Sequence, residues 1–263
     1  MKTPVMRPRR RAQALVCALS ATASLAARAD DSGFQPITPY RPSVSTPAQL
    51  PYPGQLEFEL GGLAANDGES RRNTLPYLLK LAFNQDWGLL IGGDGYVWTG
   101  GEVGRFNGVG DTSITLKRAW IVNSANAFGM ELTAKIPTAK ETIGTGRADY
   151  EVNTIYSADF GPVHMDANLN ATQLGFVDPG SSRTQFGGAS AFTVSLSERW
   201  AILGELSGTH QAGADNGVQL LTALTFSPSK ILTFDFGVAR AFRPRPAANL
   251  LSIGVVLPLA RLW

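Results

Sequence analysis

The sequence predicts an all-β chain, an antiparallel transmembrane β-barrel of about 12 strands of the Gram-negative outer-membrane type. Three observations carry that expectation. An export signal opens the chain, the segments from Gly54 onward alternate apolar with polar residues at a period of two, and their connections alternate between short and long.

Lys2, Arg7, Arg9, Arg10 and Arg11 precede an apolar run from Ala12 to Ala26, and Ala27-Arg28-Ala29 supplies small residues for cleavage before Asp30. Basic, apolar and small residues in that order are the marks of a signal peptide, here 1–29. The apolar run is shorter than the roughly 20 residues of a spanning helix. Val16, before Cys17, is not the small residue that lipoprotein processing expects. Six of the 23 basic residues and none of the 21 acidic ones lie in 1–29, so the remainder holds 17 basic against 21 acidic residues, a net charge of −4. That balance argues against nucleic acid as a partner. The single cysteine, Cys17, leaves with the signal, so neither disulfides nor thiolate chemistry are expected. No later stretch holds 18 consecutive apolar residues, which excludes spanning helices.

Residues 30–53 contain six prolines (Pro36, Pro39, Pro42, Pro47, Pro51 and Pro53) and few large apolar side chains, and read as an extended periplasmic linker. The barrel is expected over 54–263. Its candidate strands are 54–64, 75–85, 87–98, 111–123, 128–138, 147–158, 161–175, 185–197, 199–210, 216–227, 231–242 and 249–260. In the seventh, Val163, Met165, Ala167, Leu169 and Ala171 interleave with His164, Asp166, Asn168, Asn170 and Thr172. In the sixth, Tyr150, Val152, Thr154 and Tyr156 oppose Asp149, Glu151, Asn153 and Ser157, with Ile155 the exception. Period-two alternation places the two faces of a strand in different environments.

Connections such as Asn84-Gln85-Asp86, Asp159 to Pro162 and Ser197-Glu198-Arg199 are short; those at 66–73, 99–110, 138–146, 176–184 and 243–249 are longer. Short turns at one rim, longer loops at the other and an even strand count are the outer-membrane pattern. About 11 residues at about 3.3 Å each, tilted by about 40°, project to roughly 28 Å and span the apolar band. Trp87, Trp120 and Trp200 fall near the short-turn rim, where interfacial aromatics belong. Trp87 and Trp98 lie an odd number of residues apart, so they share a face only if the strand carries a bulge, for which Gly92-Gly93 is a candidate. Terminal Trp263 is similar to the signal that outer-membrane proteins present to their assembly machinery, although Arg261 and Pro258 depart from the usual closing strand.

No catalytic, cofactor-binding or metal-binding residues are expected. His164 beside Asp166 lacks the serine that a barrel-resident hydrolase needs, and His210 reads as a surface histidine. No cluster has metal-ligand spacing. The glycine-rich run 101–110 has no helix after it to receive a phosphate and reads as a flexible loop. What remains is the polar face itself: Glu57, Glu59, Lys117, Glu131, Lys135, Glu151, Asn153, His164, Asp166, Asn168, Asn170, Glu205 and Asp235. These are expected to line the lumen, because a charge facing lipid at mid-membrane costs about 2–4 kcal/mol. They suit either a salt-bridged plug or a water-filled, mildly acidic wall.

The stretch from Gly108-Val109-Gly110-Asp111 through Lys117, followed by Ala134-Lys135-Ile136-Pro137-Thr138-Ala139-Lys140 and Gly144-Thr145-Gly146, resembles the outer-membrane transporter family named for the meta-pathway of phenol degradation. Ala139 stands where that family's Pro-Thr-Gly has glycine. The resemblance implies a barrel that passes small molecules, often aromatic or hydrophobic, with no catalytic residues to carry over. The expected partners are outer-membrane lipid, the assembly machinery and a small solute. A plugged structural or adhesive barrel and a secreted soluble β-sandwich are the alternatives.

Overall fold

In the computed structural model, residues 33–101, 104–244 and 246–263 are described; the signal peptide expected over 1–29 lies outside them. All regular structure among them is strand, and no helix is long and apolar enough to cross a membrane. The strands are β1 (Gln55–Asn66), β2 (Arg71–Ala82), β3 (Trp87–Gly101), β4 (Gly104–Gly108), β5 (Thr112–Asn123), β6 (Asn126–Ile136), β7 (Asp149–Phe160), β8 (Val163–Gln173), β9 (Thr184–Ser195), β10 (Trp200–Gln211), β11 (Gly217–Ser229), β12 (Leu232–Arg243) and β13 (Ala248–Arg261).

Apart from β4 and β5, consecutive strands pair antiparallel, and β1 pairs with β13, so the sheet closes on itself. Lower β3 pairs with β5 and its upper end with β4, so β4 and β5 together make one stave and the barrel has 12. Closure pairs every strand on both sides except the short β4 at the long-loop end, and paired edges are what permit strands in a bilayer. The outward face is apolar and exposed, as at Leu60, Phe128, Leu132, Leu169, Leu206 and Ile253. A continuous apolar band of this kind is unsuited to water and suited to lipid.

The glycine-rich run differs from expectation. Gly104–Gly108 is not a loop but the arm of a hairpin with the end of β3, because glycine weakens a strand without preventing pairing. In β3, Asp94 faces Pro76 and Val97 faces Thr74, so three steps on β3 match two on β2. This bulge, at Gly95-Tyr96 rather than Gly92-Gly93, turns both Trp87 and Trp98 outward while Leu90 and Val97 face in. A second bulge, at Leu259, lets Pro258 sit in β13.

The short turns are held by side chains. Asn84 Oδ1 accepts from the N–H groups of Asp86 and Trp87 at 2.8 and 2.9 Å, and Ser197 Oγ does the same for Arg199 and Trp200. Such Asx and Ser turns replace ladder bonds where the chain reverses.

Candidate functional site

Residues 33–53 correct the expectation of a periplasmic linker. They have no helix or strand, yet they lie inside the barrel as a strap threaded against the inner wall. A segment outside any ladder must find other acceptors for its N–H groups. The polar wall supplies them. The N–H of Gln35 donates to Gln55, Thr38 to Glu57, and Tyr40 and Arg41 to the two oxygens of Glu59 at 2.8 and 3.1 Å. Across the lumen, Val44 and Ser45 donate to Glu205 at 2.9 and 2.8 Å, Thr46 to Asn168 and Ala48 to Ser157. The intervening prolines carry no N–H and hold the chain extended, which lowers the number of donors the interior must satisfy.

Charged side chains lock this arrangement. Lys80 lies between Glu57 and Glu59, at 3.1 and 2.6 Å, with all three side chains essentially inaccessible, and it also donates to the carbonyl of Thr38. Lys117 pairs with Glu131 at 2.9 Å and donates to the carbonyl of Pro47; Asn153 holds the other oxygen of Glu131. Both ammonium groups stand over the Tyr40 ring, 4.4 and 4.3 Å from its centroid, a cation–π arrangement. The Tyr40 hydroxyl donates to Gln49 O at 2.8 Å. Burial, with the nearby carboxylates of Glu131, Glu59 and Glu57 adding to it, pushes this phenol well above its ordinary pKa of 10.0. Arg41 reaches Asp235 with two nitrogens, at 3.2 and 3.3 Å. Its guanidinium occupies the space that a Cβ on Gly61 or Gly254 would need.

Ile155, the exception in its strand's pattern, faces inward and packs with Ala127 on the strap's Ala48. The apolar residue sits where an apolar strap residue docks.

Two cavities flank the strap. The one toward the long loops, about 650 Å³, is walled by Arg72, Asp94, Asp111, Lys135, Asp149 and Glu151 among others. Here Lys135 lies 2.7 Å from Asp149 and 3.6 Å from Asp111. The other, about 410 Å³, lies between the strap and the short-turn end, beside His164, Asp166, Thr193 and Thr233. The inner wall is also apolar along one arc, where Ala191, Leu203, Leu221 and Ala223 cluster across β9–β11.

The 13 residues expected along the lumen thus fall into groups. Glu57, Glu59, Lys117, Glu131, Asn168, Glu205 and Asp235 hold the strap, with Asn153 behind Glu131. Lys135 and Glu151 face the long-loop cavity, and His164 and Asp166 the other. The Asn170 amide fills the space over Gly187. His164 sits between Asp159 and Asp166, at 2.6 and 3.2 Å, while Ser157 donates to Asp166 and accepts from Ala48 N–H. The imidazole therefore lies beyond the carboxylate and does not reach the hydroxyl, so no nucleophile–base contact forms.

Sequence reasoning missed Lys80, although it is the single charge in Leu-Pro-Tyr-Leu-Leu-Lys-Leu-Ala, at inward parity. It placed Ser157 on a polar face without giving it a role, and missed Gln55 and the strap itself. The two motif segments behind the family resemblance meet at the rim: Thr138 Oγ1 donates to Gly110 O at 3.1 Å, and Ala139 N–H to Asp111 Oδ1 at 3.0 Å.

No protein-family model and no curated protein matches the sequence. The fold, however, is similar to that of an outer membrane channel from Pseudomonas putida F1, with a TM-score of 0.66 at 12% identity over 81% of this chain and 98% of that one. It is also similar to the NanC porin, at 0.57 and 8% identity over 77% and 100% of the two chains. The KdgM porin in complex with disordered oligogalacturonate gives 0.55 at 12% identity over 78% and 99%. At these identities the likeness establishes the outer-membrane barrel fold.

Proposed function

We propose that this chain is an outer-membrane channel for the passive passage of small molecules, with its own N-terminal strap setting the resistance of the lumen. The observation that carries the reading is the attachment of the strap. Wall side chains hold it, and it takes no place in the ladder, so the barrel stays closed and complete without it. The apolar outer face places the barrel in a bilayer, and the two cavities on either side of the strap are the approaches to the restriction.

The apolar arc of Leu203, Leu221 and Ala223 supports solutes with aromatic or hydrophobic parts, in keeping with the family named for phenol degradation. The motif contact at Gly110-Asp111 and Thr138-Ala139 supports the same assignment. Purified protein in planar bilayers and in liposome-swelling assays tests the proposal. The native chain is expected to show small conductance, and a variant lacking residues 30–53 a several-fold larger one. Silence from both would sink the channel reading and favour a structural barrel.

A further inference from the structure

The register of the staves assembles a feature that no single strand displays. Following paired residues around one side of the barrel, Arg240 faces Asn249, Asn249 faces Asn66, Asn66 faces Arg71, Arg71 faces Gly100 and Gly100 faces Arg105. Residues paired across a sheet share a face. All six therefore form one rung, and it points outward, since Arg240 has the parity of Phe236 and Val238, and Asn249 that of Leu251 and Ile253. The rung is at the long-loop ends of these strands. The next rung inward reads Val238, Leu251, Ala64, Asn73 and Trp98, and is the start of the exposed apolar face.

Three arginines thus stand on the outer surface at the border between polar rim and apolar band. A recess of about 700 Å³ opens there, lined by Asn66, Arg71 and Asn249 above and by Ala64, Asn73 and Leu251 below. Arg240 Nη1 donates to Asn249 Oδ1 at 3.0 Å, which ties its guanidinium to the recess. The ion pairs among the described residues involve none of the three arginines; Arg72, one residue along and facing inward, is the one that pairs, with Asp94. Asp67 borders the recess, but its carboxylate accepts from Glu69 and Ser70 of its own turn. On the other side of the barrel, the rung Ala134, Tyr150, Gln173 and Thr184 carries no cation.

We propose that this rung and recess bind a phosphate-bearing glycolipid of the outer leaflet, with the phosphate on Arg71 and Arg240, Arg105 beside them, and an acyl chain against Leu251 and Val238. Guanidinium groups bind phosphate through paired hydrogen bonds, and the amides of Asn66, Asn73 and Asn249 suit sugar hydroxyls. An arginine on the lipid side of a barrel is tolerated at the interface and costly at the midplane, so its place at the border is where a headgroup can use it. The inference rests on the reading of the barrel as membrane-spanning with its long loops outward, and is independent of conduction.

The test is native mass spectrometry of the detergent-solubilised full barrel with diphosphoryl lipid A and with the same lipid after dephosphorylation. The native chain is expected to retain the phosphorylated lipid and to bind the dephosphorylated one at least tenfold more weakly. R71Q/R105Q/R240Q is expected to lose at least tenfold in affinity for the phosphorylated lipid, the single R71Q to lose part of that, and R147Q/R183Q, on other loops, to bind as the native chain does. Heat-modifiable migration confirms that each variant is folded. Equal binding of the two lipids, or unchanged binding by the triple variant, overturns the proposal. A barrel that binds lipid A and never conducts would leave it standing while removing the channel reading.

Discussion

Lys80 and Lys135 each sit between two carboxylates on the inner wall, and the comparison between them shows what the strap does. Lys80, with Glu57 and Glu59, is wholly enclosed; strap N–H groups donate to both carboxylates, and the side-chain amide of Gln55 takes up the Glu57 oxygen that Lys80 leaves free. Lys135, with Asp111 and Asp149, opens on the long-loop cavity and keeps about a quarter of its side-chain surface. The charged groups are the same, one ammonium between two carboxylates. In the first case the strap has excluded water and turned a polar wall into a sealed joint; in the second the wall remains solvated. Burial, and not composition, decides which charges are structural.

The largest effect that separates the two clusters is expected from Lys80→Ala. It leaves Glu57 and Glu59 facing each other in a dry site without their cation, and removing one partner of a buried ion pair costs about 3–5 kcal/mol. The strap, which these carboxylates anchor, should detach before the barrel opens. Limited proteolysis within 33–53 is expected to become fast while heat-modifiable migration persists. A strap that stays protected in Lys80→Ala would show that Arg41, Glu205 and Asn168 suffice to hold it.

Tyr40 gives a smaller effect with a definite sign. Its pKa with the strap docked is raised, chiefly by burial, above the ordinary 10.0 of a released strap. The docked state thus binds the phenolic proton more tightly than the released state. Its contribution is fully present below the ordinary value and is lost as pH rises from there toward the raised one. Lysine titration overlaps this window, so the comparison with Tyr40→Phe isolates the phenol. Phenylalanine keeps the ring beneath Lys80 and Lys117 and loses the hydrogen bond to Gln49 O, at a cost of about 1 kcal/mol. Protection of the strap should fall more steeply above pH 10 in the native chain than in the variant. Parallel curves would assign the alkaline release to the lysines alone.

The same contrast explains how much was legible in the sequence. Period-two alternation reports which face of a strand meets lipid, so the 12 staves and the inward parity of Glu57, Lys117, Glu131 and Glu205 could be read directly. It does not report what fills the interior. The strap's contacts join residues such as Thr46 and Asn168, more than a hundred positions apart, through backbone groups that every sequence carries. Its composition, rich in proline with few large apolar side chains, is that of a linker in water and equally that of a segment that meets few donor demands in a polar lumen. Ile155 was the local hint, an apolar residue on a polar face that has meaning only once Ala48 lies against it. The arginine rung was hidden for a related reason. Arg71, Arg105 and Arg240 are scattered along the chain, and only the register across six staves brings them level.

Lys135→Ala marks the small end of the comparison. Its ion pairs are partly solvated, and such pairs contribute about 0–1 kcal/mol, so neither strap protection nor heat-modifiable migration should change measurably. What should change is the field of the long-loop cavity, where Asp94, Asp111, Asp149 and Glu151 are offset only by Lys135 and Arg72 among its lining side chains. Removing one cation makes that approach more negative, and a charged mouth concentrates ions of opposite sign. Reversal potentials under a salt gradient are therefore expected to shift toward cation preference, most clearly at low ionic strength where screening is weak. Lys80→Ala should raise conductance by freeing the strap, and Lys135→Ala should change selectivity at constant conductance. If both variants alter the same quantity, the division of the lumen into a sealed joint and a solvated approach fails.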